Sequence, residues 1–147
     1  MTHRSKIAIF SILGQTAVFV PLYNEASRAT TAGIPLEGQI SLWAAFFLKL
    51  LGLSVAVTVV GTILLQMILQ LRGKESVFTV TDERDRLIEA KAVRNFCYVF
   101  CFGFFLGMLL IVLGQSAALL FHAFAFSYLA AGIVLYLSYI FHYERGY

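Results

Sequence analysis

"FCYVFCFGFFLGMLLIVLGQSAALLFHAFAFSYLAAGIVLYLSYIF", residues 96–141, contains no Asp, Glu, Lys or Arg. Two apolar runs, 96–113 and 117–141, are parted only by Gly114-Gln115-Ser116. A helix needs about 20 mainly apolar residues to cross the hydrocarbon of a bilayer. The stretch therefore reads as two membrane-spanning helices joined in a tight antiparallel hairpin.

Two further runs precede it. Residues 7–22 are apolar apart from Ser11, Gln15, Thr16 and a few small residues, and residues 40–71 carry a single charge, Lys49. The whole chain has 147 residues, of which 60 % are hydrophobic and 13 % charged, with a mean hydropathy of +0.83. A body of this size cannot bury that much apolar side chain in water, so the bilayer is its natural solvent. The expected fold is all-α: an integral membrane four-helix bundle in a single domain. Its spans fall at about 6–23, 44–70, 94–114 and 117–141, with an outer loop over 24–43 and a polar segment over 71–93. The basic start His3-Arg4-Ser5-Lys6 resembles a signal peptide, but "PLYNEAS" follows where a small-x-small cleavage site would stand, so the first span is expected to be retained.

Lys and Arg collect on the side that holds cytoplasmic loops. The N-terminus, the 71–93 segment with Arg94 and the C-terminal tail hold nine of them, against Arg28 alone in the outer loop. Both termini are expected in the cytoplasm of a bacterial or archaeal cell, with the protein in the plasma membrane. The net charge of +3 fits topology and anionic lipid heads, and no nucleic-acid partner is expected.

The charge is concentrated in "TVTDERDRLIEAKAVRN", residues 79–95. Asp82, Glu83 and Asp85 suit the first turn of a helix, where the dipole is positive, and Asp82 and Glu83 reach Arg86 at i+4 and i+3. Ile88, Ala92 and Phe96 carry one apolar stripe into the span, so a single helix from about 82 to 113 is expected to project into the cytoplasm. Mixed signs, with arginines whose planar forks suit specific pairing, point beyond solubilisation. Asp82, Glu83, Arg84, Asp85, Arg86 and Glu89, with Glu144 and Arg145 of the tail, are the candidate partner-binding residues, for another protein or a second copy of the chain. Self-pairing of this helix end with Glu144 or Glu75 is the competing reading.

Asp82-Glu83-Arg84-Asp85, Ile88-Glu89 and Lys91-Ala92 ahead of an aromatic span resemble a family of small prokaryotic four-span membrane proteins, a domain of unknown function with a D-E-R stretch before its third span. The resemblance implies fold and location and an accessory or regulatory role; it supplies no reaction.

Other features bear on packing and on alternatives. Gly103 and Gly107 form a G-x-x-x-G, and Ser127 and Ala131 repeat its spacing in the fourth span; small pairs of this kind let helix backbones approach. Trp43 is expected at the outer interface, with Lys49 snorkelling from one to two turns deeper or serving as a counter-ion site. Cys97 and Cys101 are expected as buried small hydrophobes. A small dimeric channel or transporter could run along Lys49, Gln15 and Gln66, but no Asp or Glu falls within the expected spans to couple protons. A haem or quinone redox role ranks third: His122 and His142 stand about 30 Å apart along one helix, too far to share a haem, and no polar anchor for a quinone is evident. No cofactor, metal or catalytic residue is assigned. The leading reading is a non-enzymatic accessory or regulatory membrane subunit.

Overall fold

A computed structural model describes residues 3–31, 33–71 and 83–145. Four helices, α1 (His3–Thr31), α2 (Leu36–Leu71), α3 (Glu83–Val112) and α4 (Ala117–Arg145), make an all-α four-helix bundle with no strand among the described residues. All four are long and apolar enough to cross a membrane, so the chain is a multi-pass membrane protein. Asp82 lies outside the described residues.

The helices run past the expected spans. α1 and α2 occupy most of residues 24–43, expected as an irregular loop. Gly33 and Pro35 do break the helix, but only where they stand. Thr30 and Thr31 return their hydroxyls to the carbonyls of Ala26 and Ser27, 2.8 Å each, so these side chains are satisfied within the last turn of α1. Gly33 then takes a left-handed φ of 76°, and α2 opens with Gln39 N–H donating to the Pro35 carbonyl at 3.0 Å. Glu25 belongs to α1, two residues past the span expected at 6–23.

Helix α4 is the hub. It packs closely on α3 and α1 and touches α2, whereas α3 makes no close backbone approach to α1 or α2 among the described residues. The α3–α4 contact is built on the predicted small residues. Gly103 and Gly107 are buried, and a Cβ on Gly103 would overlap the Ser127 side chain and meet its Cα at 3.4 Å. Ala131 is fully buried. The partner of the G-x-x-x-G is thus a helix of the same chain. Toward the charged end Asn95 donates an amide N–H to Ser138 Oγ at 3.0 Å, a polar tie between α3 and α4.

Away from the charged end, aromatic rings from α1, α2 and α4 form the densest packing. Phe19, Tyr23, Trp43, Phe46 and Phe121 interlock, with Trp43 stacked on Phe121 at 5.7 Å between centroids. Trp43 is fully buried, and its indole N–H donates to Thr30 Oγ1 at 3.1 Å. A buried indole finds a partner, and the extension of α1 to Thr31 provides it. Cys97 and Cys101, expected as buried, are instead on the exposed face of α3.

Candidate functional site

Three places bring the candidate residues together or separate them. The first is the charged end, where the start of α1, the start of α3 and the end of α4 converge. Ser5, fully buried, donates its hydroxyl to Glu144 Oε1 at 2.8 Å, joining α1 to α4. Tyr143 donates to Asp85 Oδ1 at 3.1 Å, joining α4 to α3. Ile88 and Ala92 lie buried beneath these bonds and seat α3 on the rest. The periodicity that carried an apolar stripe from Ile88 through Ala92 therefore decides which way the charges face. Glu83, Arg84, Arg86 and Glu89 are exposed, and Asp85 is half-buried. Arg86 and Glu89 have no hydrogen bond or ion pair among the described residues, while Glu83, Arg84, Asp85 and Glu144 all have partners. Arg145 lies over the Phe141 ring, 4.2 Å from its centroid. The candidate set thus divides: Asp85 and Glu144 hold the end together, and Arg86 and Glu89 face outward.

Ser5 and Tyr143 were not singled out by sequence. A serine beside a basic terminus carries no distinguishing signal, and Tyr143 reads equally well as one of several interfacial tyrosines.

The second place is the α1–α2 contact beside Lys49. Lys49 Nζ stands 3.7 Å from Glu25 Oε1, with the two side chains 56 % and 70 % exposed. They border a cavity of about 340 Å³ whose other walls include Leu22, Leu42 and Phe46. Lys49 therefore has a carboxylate beside it in an exposed pair, which suits a snorkelling lysine as well as a counter-ion site. Exposure on this scale screens the pair, which is worth at most about 1 kcal/mol.

The third is a lateral opening between α2 and α3, floored by α4. At mid-length it forms a cavity of about 300 Å³ lined by Gln15, Ser54, Thr58, Tyr128 and Tyr136 among apolar side chains. Gln15 is held there by Gly132: a Cβ at that glycine would stand 2.5 Å from Gln15 Cδ and would overlap the amide. Ser54 donates to the Leu50 carbonyl at 2.5 Å and meets Tyr128 OH at 3.3 Å, and Thr58 donates to the Ser54 carbonyl at 2.8 Å. Lys49 lines neither this cavity nor its extension, so Gln15 and Lys49 do not share a path through the bundle. The Gln66 side chain lies outside the described residues. Tyr128, Gly132 and Tyr136 recur at intervals of four, which puts them on one face of α4; that spacing was the available signal for this site.

His122, near the aromatic cluster, meets Tyr23 OH through Nδ1 at 3.1 Å and packs edge-on to Trp43. Its contacts are structural. Among the described residues no group of three His, Cys, Asp or Glu side chains is placed to hold a metal ion.

No family model, curated protein or solved structure matches the chain.

Proposed function

We propose that the chain is a non-enzymatic accessory subunit of a bacterial or archaeal plasma-membrane complex, and that it docks a protein partner through its charged end, with both termini cytoplasmic. The observation that supports this reading is the tying of three helix ends by Ser5–Glu144 and Tyr143–Asp85, with Arg86 and Glu89 left outward on the first turns of α3. A face that carries both signs on a pre-ordered scaffold selects a partner of complementary pattern and penalises others. The buried Ile88 and Ala92 keep α3 from turning that face inward. The resemblance of the 82–92 stretch to small four-span prokaryotic proteins points the same way.

The test exchanges charge without changing the total. In Arg86→Glu/Glu89→Lys, the protein inserts and folds as before, because both side chains are exposed and make no hydrogen bond or ion pair among the described residues, but a partner recovered with the wild type in mild detergent is lost. Unchanged recovery would rule out docking through this face.

A second reading, a small dimeric transporter, draws on the uncharged polar cavity at mid-length, since transporters place substrate sites near the bilayer midplane. The separation of Lys49 from that cavity removes the only charge proposed for the path. Vesicles that contain the protein and pass no ion or cationic dye would exclude it.

A further inference from the structure

Two cavities border the opening between α2 and α3; they share Tyr128 and differ in character. The mid-length cavity is bordered by Gln15, Tyr128 and Tyr136. Tyr128 also lines an adjoining cavity of about 270 Å³, whose other walls are Phe47, Phe100, Phe104, Phe124 and Ser127. The first sets a few uncharged polar groups among apolar walls, and the second is almost wholly apolar. Both flank α4 on the side that α2 and α3 leave unclosed, where α3 makes no close approach to α2.

The polar groups in the first cavity differ in what they have left to give. Ser54 and Thr58 spend their protons on backbone carbonyls. Since Ser54 donates to Leu50, the Tyr128 proton goes to Ser54 Oγ. Gln15 and Tyr136 make no hydrogen bond among the described residues, so the two amide N–H groups and one phenol O–H are unspent donors. Donors left unpaired at mid-membrane depth, with no water to satisfy them, favour an occupant that accepts hydrogen bonds. No ionisable acid or base lines the cavity, so that occupant is neutral. The donors stand on different helices, α1 and α4, and the ring of Phe96 borders the same space.

We propose that this opening binds a membrane quinone: the flat head lies in the mid-length cavity with its carbonyl oxygens accepting from Gln15 and Tyr136, and the apolar tail runs into the phenylalanine-lined cavity. A quinone carries two carbonyl acceptors on an aromatic-sized ring with a hydrocarbon chain attached, and it reaches the site from the lipid. The assignment is independent of partner docking at the charged end.

The full chain in lipid nanodiscs is titrated with decylubiquinone and with its tail-less parent quinone, bound ligand being measured by rapid filtration. Decylubiquinone binds saturably and at least about tenfold more tightly than the parent, since each buried methylene adds to affinity. Gln15→Leu weakens binding by about tenfold through loss of hydrogen bonds to the head, with the helical circular dichroism unchanged. Should Gln15→Leu fail to fold, Tyr136→Phe, which removes only a hydroxyl, is read in its place. Equal binding to wild type and variant, no saturable binding, or equal displacement by a diacylglycerol would each overturn the assignment.

Discussion

The contact between α3 and α4 can be broken with one methyl group. In Gly103→Ala the added Cβ overlaps the Ser127 side chain, and relief by side-chain motion is limited because Ser127 Cα itself lies 3.4 Å away. Overpacking of this kind costs about 1–3 kcal/mol. Against it stands the gain of alanine over glycine in a helix, up to about 1 kcal/mol. The net expectation is a loss of about 1–2 kcal/mol, a five- to thirtyfold shift in the folded fraction. Gly107→Ala is the internal control. Its Cβ would meet Phe124 Cε1 at 2.5 Å and Leu120 Cδ1 at 3.0 Å, both far ends of side chains that can rotate away, so its cost stays below about 1 kcal/mol. Ser127→Gly in the Gly103→Ala background returns the space and restores most of the loss. The assay is unfolding of the purified protein in mixed micelles by added dodecyl sulfate, followed by circular dichroism. If Gly103→Ala unfolds at the wild-type midpoint, or if it changes only the oligomeric state, the glycine pair does not seat α3 on α4 within one chain.

Three other outcomes follow from the contacts. Trp43→Ala removes a fully buried indole from the aromatic cluster and is expected to cost about 3–5 kcal/mol; in the wild type the same residue, the chain's one tryptophan, should resist quenching by aqueous iodide, and ready quenching would contradict its burial. Tyr143→Phe should lower stability by about 1–2 kcal/mol through loss of its bond to the Asp85 carboxylate, and a double-mutant cycle with Asp85→Asn should show a non-zero coupling between the two; strictly additive losses would show that the two side chains do not interact. Asn95→Leu and Ser138→Ala, as a double-mutant cycle, should show a coupling of about 0.6 kcal/mol, the size found for hydrogen bonds between membrane helices, and zero coupling would remove that tie.

Element identity was readable because a run of apolar residues bounded by charge has few other interpretations in a chain this hydrophobic. The α3 start was readable for a different reason: acids at 83 and 85 fit a helix N-terminus, and Ile88 and Ala92 keep helical register into the span. Burial was harder. In a membrane the lipid-facing and helix-facing sides are both apolar, so periodicity does not say which side packs. That is why Cys97 and Cys101, expected inward, stand outward. The small polar residues of 24–43 read as a loop, whereas in the structure only the immediate surroundings of Gly33 and Pro35 interrupt the helices. For Gln15, its dependence on the absent side chain of Gly132 is a relation between distant positions that neither residue reveals alone.

The charged end is the part of the molecule on which the proposed function stands, and native mass spectrometry of the protein released gently from its own membranes tests it most directly. The account predicts a species heavier than any multiple of 16.4 kDa for the wild type, absent for Arg86→Glu/Glu89→Lys. A bare homo-oligomer in both, or a hetero-complex that survives the charge exchange, would contradict it.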